Sequence, residues 1–136
     1  AELIKTQSET TPYLQRWATR TLTEMKQGKP FITSYSYPLQ VWKLGDQPLF
    51  SFGGELVIEY AIECKKRFGQ DIFVMGYSND VMGYIPSATI LKEGGYEGAS
   101  SQMVYGLPSV WDASVPELIY AEIDKLAQQI GIAKSK

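Results

Sequence analysis

The length of 136 residues suits one domain, and a composition of 44% hydrophobic and 21% charged residues predicts a folded, soluble protein. A net charge of −2, with lysine and arginine scattered along the chain, argues against a nucleic-acid partner held through its phosphates. No apolar run is long enough to span a bilayer, so no transmembrane segment is expected.

Two residue counts exclude whole classes of chemistry. The chain has no histidine, which excludes a Ser-His-Asp triad, a Cys-His dyad and a histidine-rich metal site made by this chain alone. It has one cysteine, Cys64, so an internal disulfide is impossible and the compartment cannot be read from cysteine usage.

The first half of the chain predicts a helix followed by a β-hairpin. Residues 1–10 are polar and predict an extended lead-in. A helix is predicted after Thr11, which can cap its first turn ahead of a proline, and Gly28 ends it. Strand-forming residues then dominate, and we predict a hairpin of residues 39–44 and 49–52.

The middle of the chain predicts a strand–helix–strand unit. After Gly53-Gly54-Glu55, an apolar stripe with helical period extends to Phe68, and residues 72–75 form a short apolar run typical of a buried strand. This order predicts a crossover onto a parallel neighbour. Loops at the carboxyl ends of such strands tend to hold ligands, which singles out residues 53–55 and 77–80.

The last third predicts a short helix at residues 86–93, an irregular stretch at 98–111 and a final helix. Ser114 and Glu117 match a capping box at the start of that helix. Its buried stripe is predicted to comprise Ile119, Ile123, Leu126 and Ile130. The fold prediction is therefore a single α/β domain, with a mixed sheet of about three to five strands and helices packed against it.

Glu55 is the first candidate site residue. A carboxylate where a strand leads into a helix is favoured by the helix dipole, which is a structural explanation. It can equally be a metal ligand or a general base held at a strand end. Glu59 and Glu63 follow at four-residue spacing, so the three carboxylates could share a cation, or the last two could form a solvated face.

Tyr84 and Tyr96 are the other candidates. They lie twelve residues apart and each follows a glycine. A phenol can bind a metal or donate to an oxyanion, although two buried aromatic rings would give the same pattern. If Glu55 and Tyr84 form a site, they should lie at the same edge of the sheet. Asp80, after Asn79, indicates a turn first and a supporting acid second.

Several motifs together resemble one enzyme family. GGE, GYSNDVMGYIPS, GGYEGAS and YGLP occur in that order and resemble the C-terminal part of the catalytic region of neutral ceramidases, the neutral/alkaline non-lysosomal ceramidases and their bacterial relatives. The upstream segments TPYLQRWATRTL and YSYPLQVWKLGDQPLFSFGGE are similar to the bacterial branch. The resemblance covers nearly the whole chain, and the joint occurrence of NDxxGYIP and GGYEGAS is its most specific part.

The resemblance implies a zinc-dependent amidase that cleaves the N-acyl bond of ceramide or a related N-acyl lipid. In that family, two histidines from an earlier part of the chain hold zinc together with a glutamate and a tyrosine. Glu55 matches the glutamate ligand and Tyr84 the tyrosine ligand. Tyr96 matches a catalytic tyrosine proposed to stabilise the oxyanion. A secreted or periplasmic location is expected by the same resemblance.

The chain departs from the family in two respects. It has no counterpart of the histidine ligands, and the family's catalytic region is several times longer. The resemblance therefore implies that residues 1–136 are a C-terminal fragment of a larger zinc hydrolase, inactive without the remainder of the parent chain. The alternative is a non-catalytic α/β module that binds a partner or a small ligand.

Overall fold

The computed structural model describes residues 11–135, so the lead-in predicted for residues 1–10 lies outside the described part of the chain. The strands in this part are β1 (Leu39–Leu44), β2 (Gln47–Phe52), β3 (Glu55–Leu56), β4 (Phe73–Met75) and β5 (Tyr84–Ile85). The α-helices are α1 (Pro12–Lys26), α2 (Ile58–Phe68), α3 (Ala88–Glu93), α4 (Ser101–Val104) and α5 (Val115–Gln129). A π-helical turn, Tyr96–Ser100, lies between α3 and α4.

A mixed three-stranded sheet in the order β1-β2-β4 contains the predicted hairpin. β1 and β2 are antiparallel, with Leu39 opposite Phe52, and β4 adds to β2 in parallel, with Leu49 opposite Phe73. The chain passes from β2 to β4 through α2, so the predicted parallel connection is confirmed. The prediction of a buried strand is wrong in part, because β4 is at the edge and Phe73 is 57% exposed.

A second, two-stranded sheet is formed by β3 and β5, which pair in parallel with Glu55 opposite Tyr84. The sequence predicted that Glu55 would lead directly into a helix, whereas α2 begins only after β3. Gly54 makes this pairing possible. Its φ is +69°, and a Cβ there would lie 2.7 Å from Ile85 Cγ1 and 2.8 Å from the Gly83 carbonyl oxygen.

The core lies between the three-stranded sheet and the helices α2 and α5. Phe50 and Phe52 of β2 are fully buried, and the Phe50 ring packs on Phe68 of α2 with 5.0 Å between ring centroids. The buried residues of α2 and α5 in the same cluster are Tyr60, Cys64, Phe68, Ile119, Ile123 and Ala127. The prediction of a single α/β domain with a mixed sheet and packed helices is confirmed.

The last helix, α5, differs from the sequence prediction at both ends. Its buried residues include Ile119, Ile123 and Ala127. The prediction was wrong for Leu126, which is only partly buried, and for Ile130, which lies beyond the end of the helix and is exposed. The predicted capping box with Glu117 is wrong, since Ser114 makes no side-chain cap hydrogen bond. The Ser114 hydroxyl instead donates to Asp112 Oδ1 at 2.7 Å.

Residues 96–104, placed partly in the predicted irregular stretch, are helical. The glycine at position 98 does not prevent this, because its N–H still donates to the carbonyl of Gly94 at 3.2 Å. The turn and α4 together bring Tyr96 and Gln102 toward β5. Within residues 11–135, every helix is too short or too polar to cross a bilayer.

Candidate active site

Glu55 and Tyr84 lie side by side because β3 and β5 pair in parallel and in register at these two residues. The pairing is fixed by backbone hydrogen bonds, since Glu55 N–H donates to the Gly83 carbonyl at 2.8 Å. The hydrogen bond to the Glu55 carboxylate, together with desolvation and the negative charge of that carboxylate, raises the pKa of Tyr84 to about 12. Tyr84 is therefore a neutral phenol at physiological pH.

Tyr77 is a further site residue, and the sequence analysis did not select it. Its hydroxyl donates to Glu55 Oε2 at 2.9 Å. This hydrogen bond also raises the pKa of the Tyr77 hydroxyl. The Glu55 carboxylate thus faces two phenols. The available sequence signal was weak: Tyr77 opens the loop after β4, one of the two strand-end loops that the sequence singled out.

Tyr96 is brought to the same place by the π-helical turn. Its ring meets the Tyr84 ring edge-on, with 5.7 Å between centroids and an angle of 73° between planes. Tyr96 is 47% exposed, so the alternative that it is merely a buried ring is wrong. The structure therefore places the three sequence-selected residues Glu55, Tyr84 and Tyr96 in one cluster.

The backbone of Tyr84 is held by two side chains from the last third of the chain. The Tyr84 carbonyl accepts a hydrogen bond from Trp111 Nε1 at 2.8 Å and a longer one from Gln102 Nε2 at 3.4 Å. Gln102 is buried, and its Oε1 has no hydrogen-bond partner. These contacts fix the position of β5 against the loop 105–111.

The shared cation site considered for three glutamates is not formed. Glu55 lies in β3, whereas Glu59 and Glu63 lie on α2 and have other partners. Glu59 accepts a hydrogen bond from the Ser87 hydroxyl at 3.0 Å, and Glu63 pairs with Arg67 at 2.8 Å. Among residues 11–135, no group of three or more His, Cys, Asp or Glu side chains could hold a metal ion.

Asp80 stabilises the loop after β4 and does not contact the Glu55 carboxylate through any hydrogen bond of the described residues. Its carbonyl accepts a hydrogen bond from the Gly54 N–H at 2.7 Å, which ties the loop after β4 to the residue before Glu55. Its carboxylate accepts a hydrogen bond from the Tyr35 hydroxyl. The turn interpretation of Asp80 is therefore the better one.

The donor chemistry at Glu55 fits part of a zinc site. A catalytic zinc usually has three protein ligands and one open position, and carboxylates are accepted ligands. Glu55 supplies a carboxylate and Tyr84 a phenol whose proton a metal would have to displace. A tightly bound zinc would need additional ligands from outside the described residues.

An apolar cleft lies beside β5, the strand that contains Tyr84. It has a volume of ≈ 710 Å³ and is bounded by residues 31–39, by the loop 107–114 and by one face of α5. Ile85, which follows Tyr84, lines the cleft, as does Trp111, whose indole holds the Tyr84 carbonyl. The lining side chains are mostly apolar and include Phe31, Leu39, Leu107, Val115 and Ile119.

No family model matches this chain, and neither a curated protein nor a solved structure matches it. What the chain does is therefore inferred from the geometry around Glu55 and from the motifs of its sequence.

Proposed function

We propose that this chain supplies the glutamate and tyrosine part of a zinc-dependent amidase that resembles neutral ceramidases. The parent enzyme would hydrolyse the N-acyl bond of ceramide or of a related N-acyl lipid. One observation carries the proposal: Glu55 and Tyr84, the two motif positions that match zinc ligands, are direct partners in the β3–β5 pair.

Glu55 and Tyr84 would hold the zinc, with histidines from the remainder of the parent chain completing its coordination. When bound, zinc supplies a Lewis acid that polarises the amide carbonyl and lowers the pKa of water to about 7. The chain's own contribution is to place the carboxylate and the phenol in fixed register, which the Glu55 N–H to Gly83 carbonyl bond supports.

Tyr96 is proposed to donate a hydrogen bond to the oxygen that becomes negatively charged during amide cleavage. Its edge-on contact with Tyr84 keeps its ring next to the proposed ligand, and its exposure leaves it accessible to a substrate. A donor aimed at a developing oxyanion stabilises the transition state more than the ground state.

The apolar cleft supports a substrate with a hydrocarbon part. A volume of ≈ 710 Å³ is within the range of ligand sites, and Trp111, which lines the cleft, also donates a hydrogen bond to the Tyr84 carbonyl. An N-acyl lipid has the matching combination of a polar amide and apolar chains.

A second candidate is the non-catalytic α/β module, which binds a ligand or a partner without cleaving it. It is favoured by the apolar cleft beside β5, which can hold a ligand without cleaving it. The discriminating observation is the reading frame of the parent: spaced histidines upstream of this segment support the amidase.

The test is amide cleavage and zinc content in the full-length parent. Glu55→Gln should remove a ligand charge and lower zinc content, and Tyr84→Phe should do the same through the lost oxygen. Tyr96→Phe should retain zinc but slow turnover by on the order of a hundredfold or more. The isolated 136-residue chain should bind zinc weakly and cleave no N-acyl sphingosine.

Glu59→Gln is the matched control, because Glu59 is a nearby carboxylate that bonds Ser87 rather than the site. It should leave zinc content and turnover unchanged. If Glu55→Gln in the parent keeps full zinc and full activity, the amidase proposal is wrong and the binding module becomes the better candidate.

A further inference from the structure

We propose that Tyr77 is a positioning residue, which holds the Glu55 carboxylate in the orientation needed beside Tyr84. The role in metal binding rests on the proposed zinc site, whereas the positioning itself concerns only residues of this chain. The central observation is the hydrogen bond of 2.9 Å from the Tyr77 hydroxyl to Glu55 Oε2.

The backbone of Tyr77 is bound to the same segment as its side chain. Tyr77 N–H donates to the Gly54 carbonyl at 2.9 Å, and Ser78 N–H donates to the Phe52 carbonyl at 2.9 Å. The loop after β4 is therefore attached to Phe52 and to Gly54, the residue that precedes Glu55. Main chain and hydroxyl together fix Tyr77 relative to Glu55.

The conformation and exposure of Tyr77 argue against a role in packing. Its φ is +56°, a left-handed value that a tyrosine seldom adopts unless surrounding contacts fix it. Its side chain is 62% exposed, so the ring buries little apolar surface. The hydrogen bond to Glu55 is the contact that explains the orientation of the Tyr77 side chain.

The Tyr77 hydrogen bond to Glu55 Oε2 can orient the whole Glu55 carboxylate for metal binding. The two oxygens of a carboxylate together offer about four acceptor positions, so a Tyr77 hydrogen bond to Oε2 and the interaction with the Tyr84 phenol still leave positions for a cation. Hydrogen-bond partners of metal-ligating carboxylates orient the ligand, and their loss typically lowers metal affinity by about 10- to 100-fold. Tyr77 is in the right place to act in this way on Glu55.

Tyr35 provides a matched control within the same chain. It is also an exposed tyrosine whose hydroxyl donates to a carboxylate, in this case Asp80. Tyr77→Phe and Tyr35→Phe therefore each remove a hydroxyl that donates to a carboxylate. Only the first removes it from Glu55.

The experiment compares the 136-residue chain with its Tyr77→Phe, Tyr35→Phe and Glu55→Gln variants. The first measurement is the set of three-bond NMR couplings that report the Glu55 side-chain rotamer, without metal. The wild type and Tyr35→Phe should show one fixed rotamer, and Tyr77→Phe should show averaging. Backbone amide spectra verify that each variant is folded.

The second measurement is calorimetric titration of the same variants, made in the full-length parent, with Zn²⁺ alone. Tyr77→Phe should weaken zinc binding by about tenfold or more, and Tyr35→Phe should leave it unchanged. If Glu55→Gln weakens zinc binding but Tyr77→Phe does not, the positioning role is overturned while the zinc proposal stands.

The two proposals fail separately. If Glu55→Gln leaves zinc binding unchanged, the zinc site is wrong, and the rotamer couplings alone decide the role of Tyr77. A Glu55 rotamer that stays fixed in Tyr77→Phe overturns the positioning role whatever the zinc titration shows.

Discussion

Replacing Gly54 with alanine should destabilise the protein by about 2–5 kcal/mol, the sum of two separate effects. An alanine at φ +69° costs roughly 1–2 kcal/mol in backbone strain. Its Cβ would also lie 2.7 Å from Ile85 Cγ1 and 2.8 Å from the Gly83 carbonyl oxygen. Because the second neighbour is backbone, it cannot rotate away, and such overpacking adds about 1–3 kcal/mol.

Gly45→Ala separates the two effects. Gly45 has a φ of +61°, and a Cβ there would meet nothing within 4 Å, so only the strain of roughly 1–2 kcal/mol applies. The assay is urea unfolding of both variants and the wild type at one pH, with free energies extrapolated to water. If Gly54→Ala loses no more stability than Gly45→Ala, the close approach of β3 to β5 does not exist in solution.

Two further predictions concern the core and its titration. Phe50→Ala should cost about 3–5 kcal/mol in urea unfolding, because Phe50 is fully buried against Phe68, whereas Phe73→Ala at the exposed edge should cost far less. Equal losses would contradict the core assignment. Burial raises the pKa of Cys64 to about 12 from its usual 9.0, and that of Tyr120 to about 12 from 10.0. The folded protein therefore keeps protons that the unfolded chain releases, so stability should fall as pH rises from about 9 to 12, as a series of thermal melts can measure. A thermal midpoint that stays constant between pH 9 and 11 would refute this.

Elements with strong local signals were predictable from the sequence. The hairpin has strand-forming residues on both sides of a glycine turn, and α2 has a clear apolar stripe that ends at Gly69. By contrast, β3 and β5 have two residues each, too few to show any periodicity. Their pairing depends on Gly54 admitting Ile85, a contact between distant positions that no local pattern reveals.

The candidate site was predictable only as far as its motifs reached. Glu55, Tyr84 and Tyr96 were selected by position in the motifs, and the fold brings them together. Tyr77 was missed because its role depends on a left-handed backbone angle and on the direction of its side chain. The prediction of a capping box was wrong because it also depended on the direction of a side chain: the Ser114 hydroxyl bonds Asp112 instead.

Because β3 and β5 pair in parallel, the distance between Glu55 and Tyr84 is set by the strand pair and not by the length of the chain that connects them. Glu55 and Tyr84 are aligned by hydrogen bonds at the strands themselves, whereas the exposed residues Gln70 and Asp71 form an outward excursion between α2 and β4. An inserted epitope or reporter domain at 70–71 would lengthen that excursion without changing which residues face each other. Protein engineers therefore have an attachment point that leaves the carboxylate–phenol pair intact.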